Sequence, residues 1–260
     1  MLNCCRMQNH QLYIEPIPAF DDNYIWLLHN TRDAIVIDPG DAGPVLAELN
    51  IKKLKLKAIL ITHHHADHTL GVNKLLEEHP AIVYAPKYEQ FRFNHIAISE
   101  GDVIELPTLN LRFNVMWLPG HTLGHIAYVN DNQLFCGDVL FGAGCGRIFE
   151  GSPKQMLHSL NRLKKLNPLI QVFCTHEYTA KNIDFALSLE PDNQMLINRK
   201  HHVSLQRENN QPSLPSTIQL ELDTNPFLRC QQPTIVQKVD SNHSDELSVF
   251  TKIRFLRNHY

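Results

Sequence analysis

The densest run of chemically versatile side chains is Thr62-His63-His64-His65-Ala66-Asp67-His68, with four histidines and an aspartate inside six residues. In an extended segment, residues two apart point the same way. His63 and His65 can therefore offer imidazoles to one point while His64 faces away. Asp67 and His68 come after a turn begins and can face a second point nearby. The pattern H-x-H-x-D-H thus supplies two ligands to each of two metal ions. Imidazole and carboxylate donors without thiolate suit Zn, Fe(II) or Mn(II).

The elements around the cluster must hold it. Ala58-Ile59-Leu60-Ile61 is short, unbroken and apolar, and reads as a buried strand. Thr69 to Glu78 has helical spacing, so the histidines fall on a strand-to-helix turn, where α/β proteins usually place their chemistry. A solvated histidine run would have no use for a buried strand leading into it. A two-metal site needs further ligands, and His121, Asp138 and His176 each follow an apolar stretch. His121 can complete one metal and His176 the other, with the Asp138 carboxylate bridging. Asp38, before Pro39-Gly40, reads either as an orienting partner for a ligand histidine or as a turn former. His64 and His125 are expected to pack or hydrogen-bond, and Cys145 to be a small apolar side chain in a glycine loop.

Other strands are expected at Tyr24–Leu28, Ala34–Ile37, Ala81–Ala85, Ile126–Val129, Leu134–Asp138 and Ile170–Cys174. Hairpin-like stretches cover 102–106 and 109–118, and the opening segment at Leu12 to Ile14 is broken by Pro16 and Pro18. Helices are expected at 44–49 and at 153–166, the latter capped by Ser152 with Pro153 at its first position. After Tyr178 the pattern turns helical, at 180–189, 194–207 and 245–257, around a Pro/Ser/Asn-rich linker at 209–217. These features predict an α+β fold. Two packed sheets with helices outside form a metal-binding domain over 1–174, and a helical domain follows over 175–260.

Composition sets the limits. The chain has 260 residues, 43% apolar and 20% charged, with a net charge of −3. That balance argues against general binding to nucleic acid or an anionic membrane, and no apolar run approaches the ~20 residues of a membrane span. Met1 to His10 lacks the apolar region of a secretory signal. The six cysteines form no C-x-x-C pair and read as reduced thiols in a cytoplasmic setting. Cys4-Cys5 carries no supporting motif, and Met7 is an alternative start.

The motifs resemble those of the metallo-β-lactamase superfamily and, within it, the glyoxalase II (hydroxyacylglutathione hydrolase) family. The resemblance runs through residues 17–24, Asp38-Pro39-Gly40, 62–68, 120–125, 135–138, the Gly144-Cys145-Gly146-Arg147 segment with Phe149, His176-Glu177-Tyr178-Thr179, Asn225-Pro226-Phe227 and the C-terminal end. It implies an αββα sandwich followed by a helical substrate-binding domain. It implies His63, His65 and His121 on one metal, Asp67, His68 and His176 on the other, and Asp138 bridging. Zn is the first expectation, with Fe or Mn as alternatives. The implied reaction is hydrolysis of S-D-lactoylglutathione to D-lactate and glutathione. Asp138 and Asp67 act in it with a hydroxide bridging metals about 3.5–4 Å apart.

By the same resemblance Arg147, Phe149, Tyr178, Arg254 and Arg257 contact glutathione, whose two carboxylates call for cations. Arg147 and Phe149 stand where some family members carry Lys and Tyr, and Arg257 and Asn258 depart from the family's usual Lys and Asp. A phenylalanine offers no hydroxyl, and Arg is not equivalent to Lys at a defined carboxylate contact. The protein is expected to be monomeric, with no nucleic-acid or membrane partner. The competing readings are a persulfide dioxygenase-like mononuclear iron enzyme of the same superfamily and a non-catalytic metal-binding relative.

Overall fold

Period-2 alternation in the first hundred residues builds a six-stranded sheet. In the computed structural model, which describes residues 11–239 and 245–260, the strands are β1 (Tyr13–Ala19), β2 (Asn23–His29), β3 (Asp33–Ile37), β4 (Lys55–Leu60), β5 (Ile82–Pro86) and β6 (Ile96–Ile98), in that spatial order. β1 to β3 pair antiparallel and β3 to β6 parallel. Two of the parallel connections are helical, through α1 (Ala42–Lys52) and through the pair α2 (Ala66–Thr69) and α3 (Val72–Glu78), while β5 reaches β6 without a helix. Cys4, Cys5 and Met7 lie outside the described residues.

The second sheet is β7 (Val103–Leu106), β8 (Leu111–Trp117), β9 (Ile126–Val129) and β10 (Gln133–Gly137). A two-stranded ribbon, β11 (Leu140–Phe141) with β12 (Gly144–Cys145), comes next, followed by α4 (Pro153–Leu163), β13 (Gln171–Cys174), α5 (Thr179–Leu189) and α6 (Gln194–Glu208). The chain ends with β14 (Ser216–Thr217), α7 (Ile218–Thr224), α8 (Pro233–Lys238) and α9 (Glu246–Asn258). The spatial order of the second sheet is β14-β13-β10-β9-β8-β7.

Several local expectations change. Pro16 and Pro18 do not break β1, because it is an edge strand where a missing N–H removes no ladder bond. The stretches at 102–106 and 109–118 are the two strands of one hairpin. The helix expected over 69–78 is divided at Gly71, whose N–H donates to the Pro39 carbonyl at 3.0 Å. A Cβ there would lie 2.5 Å from that oxygen. Ser152 does cap α4, with a reciprocal Gln155 contact, but the helix stops at Leu163. The C-terminal part is not purely helical, since β14 pairs with β13.

Side chains alternate across the first sheet. Trp26, Leu28, Ile35 and Ile37 face the second sheet and share a core with Phe113, Phe135 and Phe173. Ile25, Leu27 and Val36 face outward and bury Val45 and Leu49 of α1 and Val72 and Leu75 of α3. Met156, Leu160 and Leu163 of α4 join the inter-sheet core from the other side, and α9 packs on α4. The architecture is thus αββα with appended helices. Trp26 locks the sheets together: its ring meets Phe173 edge-on at 4.9 Å and its indole N–H donates to the Cys174 carbonyl at 3.0 Å. At one end the sheets touch directly, through an isolated bridge between Asn23 and His176. At that end β3, β4, β10 and β13 all terminate.

Candidate metal centre

Four strand ends deliver the chemistry. β3 ends at Asp38, β4 runs into His63, β10 ends at Asp138 and β13 leads to His176. Gly137 makes the Asp138 turn possible. Its φ is +48°, and a Cβ would fall 2.4 Å from the Thr62 hydroxyl. The loop after β8 brings in His121, and α2 carries Asp67 and His68.

The seven residues nominated by sequence meet at one point. Ligand atoms of His63, His65 and His121 lie within 4.8 Å of one another, as do those of Asp67, His68 and His176. His65 presents Nδ1, 3.1 Å from His63 Nε2 and 3.0 Å from His121 Nε2. Asp138 stands between the groups. Its Oδ2 is 3.4 Å from His121 Nε2 and 3.3 Å from His176 Nε2, while its Oδ1 is 3.5 Å from His68 Nε2.

Each imidazole that presents Nε2 has its Nδ1 engaged outside the cluster. His63 Nδ1 lies 3.0 Å from Thr62 Oγ1 and His68 Nδ1 lies 3.0 Å from Asp38 Oδ2. His121 Nδ1 is 2.7 Å from the Arg147 carbonyl and His176 Nδ1 is 2.8 Å from Asp22 Oδ1. Such acceptors hold the proton on Nδ1 and leave Nε2 as a lone pair for a cation. Asp38, at φ +53°, also accepts from the Thr62 N–H and hydroxyl, each at 2.7 Å. Asn23 Nδ2 donates to Asp67 Oδ2 at 3.0 Å. His64 turns away between Glu89 and Glu150, at 3.1 and 3.3 Å. His125 Nε2 accepts the Asp138 N–H at 3.1 Å.

The electrostatics call for a positive ion. Burial drives His63 well below the usual imidazole range and takes His65 down to about 4. Burial opposes protonation of His176 too, yet the Asp138 and Asp22 carboxylates lift it to about 10. Burial would raise Asp138, but His176, His68 and His121 hold it far below the usual carboxylate range. The two halves agree, since protons on the imidazoles compensate the carboxylates. His68 Nε2 and Asp138 Oδ1 are nevertheless buried without a hydrogen-bond partner among the described residues. Divalent cations bonded to these atoms satisfy both and replace the protons, so the donor set fits such ions.

A cavity of about 420 Å³ opens from His121 and Asp138 and is lined by Arg147, Phe149, Tyr178, Arg254 and Arg257, with Phe141, Cys145, Lys181 and Asn182. All five sequence-nominated substrate contacts are therefore on its wall. Phe149 is exposed and meets His65 and His121 edge-on at 5.5 and 5.2 Å. Tyr178 stacks on His176 with centroids 4.7 Å apart. Arg254 is buried and donates to the Cys145 carbonyl at 2.7 Å and to Asn258 Oδ1 at 3.1 Å. Arg257 donates to Asn182 Oδ1 at 3.1 Å. The sequence reading missed Asp22, Thr62, Lys181 and Asn182. Lys181 and Asn182 carried a signal, because they stand three and four residues after Tyr178 and so share its helix face.

This fold and donor cluster define a divalent-metal-binding protein of the metallo-β-lactamase superfamily, and the model of that superfamily matches residues 19–176. Known structures agree on the fold. ETHE1 from Myxococcus xanthus aligns with a TM-score of 0.64 at 22% identity, over 95% of this chain and 98% of that one. TTHA1623 in a di-iron-bound form aligns with 0.60 at 25% identity, over 82% and 100%.

Residues 177–260 match the hydroxyacylglutathione hydrolase C-terminus. The hydroxyacylglutathione hydrolase of Methylobacillus flagellatus is 52% identical over 95% of this chain and 99% of its own length. That of Vibrio cholerae strain O395 is 51% identical over 96% and 100%. The chain belongs to the hydroxyacylglutathione hydrolase (glyoxalase II) family.

Proposed function

We propose that this enzyme hydrolyses S-(2-hydroxyacyl)glutathione thioesters, S-D-lactoylglutathione to D-lactate and glutathione, in methylglyoxal detoxification. The observation that carries the reading is the Asp138 carboxylate standing between two three-residue ligand groups, at the head of a cavity walled by arginines. His63, His65 and His121 would hold one ion, Asp67, His68 and His176 the other, and Asp138 both. TTHA1623, which shares the fold, is described in a di-iron-bound form. Two divalent cations, Zn first and Fe or Mn as alternatives, would bring the pKa of a water toward ~7 and stabilise negative charge forming on the thioester oxygen.

The chain's own residues do the rest. Asp67, its Oδ2 fixed by Asn23, and Asp138 supply anionic charge and orient the proton of the attacking water. His176, stacked against Tyr178, ties the centre to the substrate wall. Burial raises the Tyr178 phenol, so its O–H stays a donor for the peptide part of the substrate. Arg147, Arg254 and Arg257 give that wall positive charge, and the Phe149 ring closes the mouth beside His65. A thiol leaving group has a pKa near ~8.5, so its departure as thiolate needs no dedicated acid.

In this reading the metal part spans 1–174 and the substrate part 175–260, in a monomer working in the cytoplasm. The described cysteines, Cys136, Cys145, Cys174 and Cys230, are free buried thiols, as a reducing compartment favours. No helix among the described residues is long and apolar enough to cross a membrane. The test is loss of thioester absorbance with S-D-lactoylglutathione, comparing metal-replete protein with Asp138→Ala. Turnover abolished by the substitution is expected. Metal-replete protein without turnover rejects the assignment.

A further inference from the structure

The positively charged wall extends past the cavity at the metal centre. On the same face lie a second cavity of about 360 Å³, lined by Lys181, Asp184, Lys200, Arg257 and Tyr260, and a third of about 620 Å³ around Tyr24, Asp22 and Arg207. Lys181 lines all three. It is exposed on α5, one turn beyond Tyr178.

The cations of this wall differ in what already holds them. Arg254 is fixed by the Cys145 carbonyl and by Asn258, and its guanidinium lies 5.0 Å from the Phe227 ring. Arg257 is held by Asn182, and Lys200 is paired with Asp184 at 2.7 Å. Lys181 has no ion-pair or hydrogen-bond partner among the described residues. A guanidinium hydrogen-bonded to protein meets an anion from a fixed position, whereas an unpaired ammonium on a four-carbon stem can swing to meet one.

Glutathione in extended form spans about 10 Å. A thioester held at Asp138 therefore places the peptide's terminal carboxylates out along α5 and α9, beyond the metal ions. Two carboxylates call for more than one cation, and beside Arg147, Arg254 and Arg257 on the first cavity's wall, Lys181 is the cation that borders all three cavities. We propose that Lys181 is a specificity-determining residue that binds a terminal carboxylate of the glutathione moiety, a role that rests on the thioesterase reading above.

The experiment compares wild type, Lys181→Met and Lys181→Arg at low ionic strength. It uses S-D-lactoylglutathione, the analogues amidated at the glycyl or at the γ-glutamyl carboxylate, and an uncharged lactoyl thioester of N-acetylcysteamine. The expected result is a KM raised about 5- to 20-fold in Lys181→Met with kcat unchanged, since a charged hydrogen bond at a partly solvated site contributes on that scale. Lys181→Arg should recover most of the loss, and the uncharged thioester should not distinguish the variants. The amidated analogue on which the substitution has no effect identifies the carboxylate bound. An unchanged KM, or an equal loss on the uncharged thioester, overturns the proposal. Calorimetric titration with glutathione reads the same contact without turnover. Glutathione bound weakly by Lys181→Met and tightly by an inactive wild type would reject the hydrolase assignment while keeping the carboxylate site.

Discussion

Replacing Asp38 by Asn tests how far the centre depends on groups that touch no metal. Asp38 Oδ1 accepts the Thr62 N–H at 2.7 Å, and Oδ2 accepts the Thr62 hydroxyl at 2.7 Å and His68 Nδ1 at 3.0 Å. The Asn carbonyl must stay toward the Thr62 N–H, which has no other acceptor among the described residues. The amide NH₂ then faces two groups that both donated to the carboxylate. His68 can accept from it only by moving its proton to Nε2, the atom aimed at Asp138 Oδ1 3.5 Å away. Thr62 can accept by turning its hydroxyl hydrogen toward His63 Nδ1, 3.0 Å away, which pushes His63 to the same wrong tautomer.

One amide therefore works against a ligand in each triad. Partners of this kind are worth about 10- to 100-fold in metal affinity, or about 1.4–2.8 kcal/mol for an affected ion. Chelator competition at neutral pH measures it, with metal content by elemental analysis. The ion held by His68 should weaken most and the ion held by His63 next, with the fold retained by circular dichroism. Both affinities within twofold of wild type would refute the tautomer argument.

Three other outcomes follow from the same geometry. Gly137→Ala forces φ +48° on a residue with a Cβ and drives that atom to 2.4 Å from Thr62 Oγ1 and 2.8 Å from His125 Nε2. Calorimetry should show a loss of about 2 kcal/mol or more, about 5 °C in Tm for a chain of this size. Arg254→Met leaves the Cys145 carbonyl without its charged donor and should cost about 1.5–3 kcal/mol as well as raising KM, whereas Lys181→Met should leave Tm unchanged. In metal-free protein His176 is held up at about 10 and so carries a proton at neutral pH. Metal uptake must displace it, and an indicator assay should record proton release. Apparent affinity should rise with pH from below the ordinary imidazole value and level off near about 10, and a pH-independent affinity would contradict this.

The metal centre was legible because its first four members, His63, His65, Asp67 and His68, are neighbours in sequence and the other three follow apolar strands. Backbone geometry alone then fixes which way they point. The outer partners were less so. Asp38 was readable beside a Pro-Gly turn, but Asp22 reaches His176 across 154 positions, and nothing local marks it. Lys181 and Asn182 acquire meaning only once α5 begins at Thr179 and places them on the Tyr178 face. The strands missed were the shortest, Ile96–Ile98, Leu140–Phe141, Gly144–Cys145 and Ser216–Thr217. They are too brief for a period and exist because a neighbouring strand offers an edge. Pro16 and Pro18 misled for the complementary reason, since proline forbids a central strand and not an edge one. The short helices Ile218–Thr224 and Pro233–Lys238 were hidden in a stretch rich in proline and polar residues.

The most direct test is to measure metal content and S-D-lactoylglutathione hydrolysis on one preparation as divalent metal is titrated into chelator-treated protein. Two ions bound per chain are expected, with activity completed as the second binds and abolished in Asp138→Ala. Full turnover with a single ion, or two bound ions without hydrolysis, would contradict a reaction carried out between the two triads.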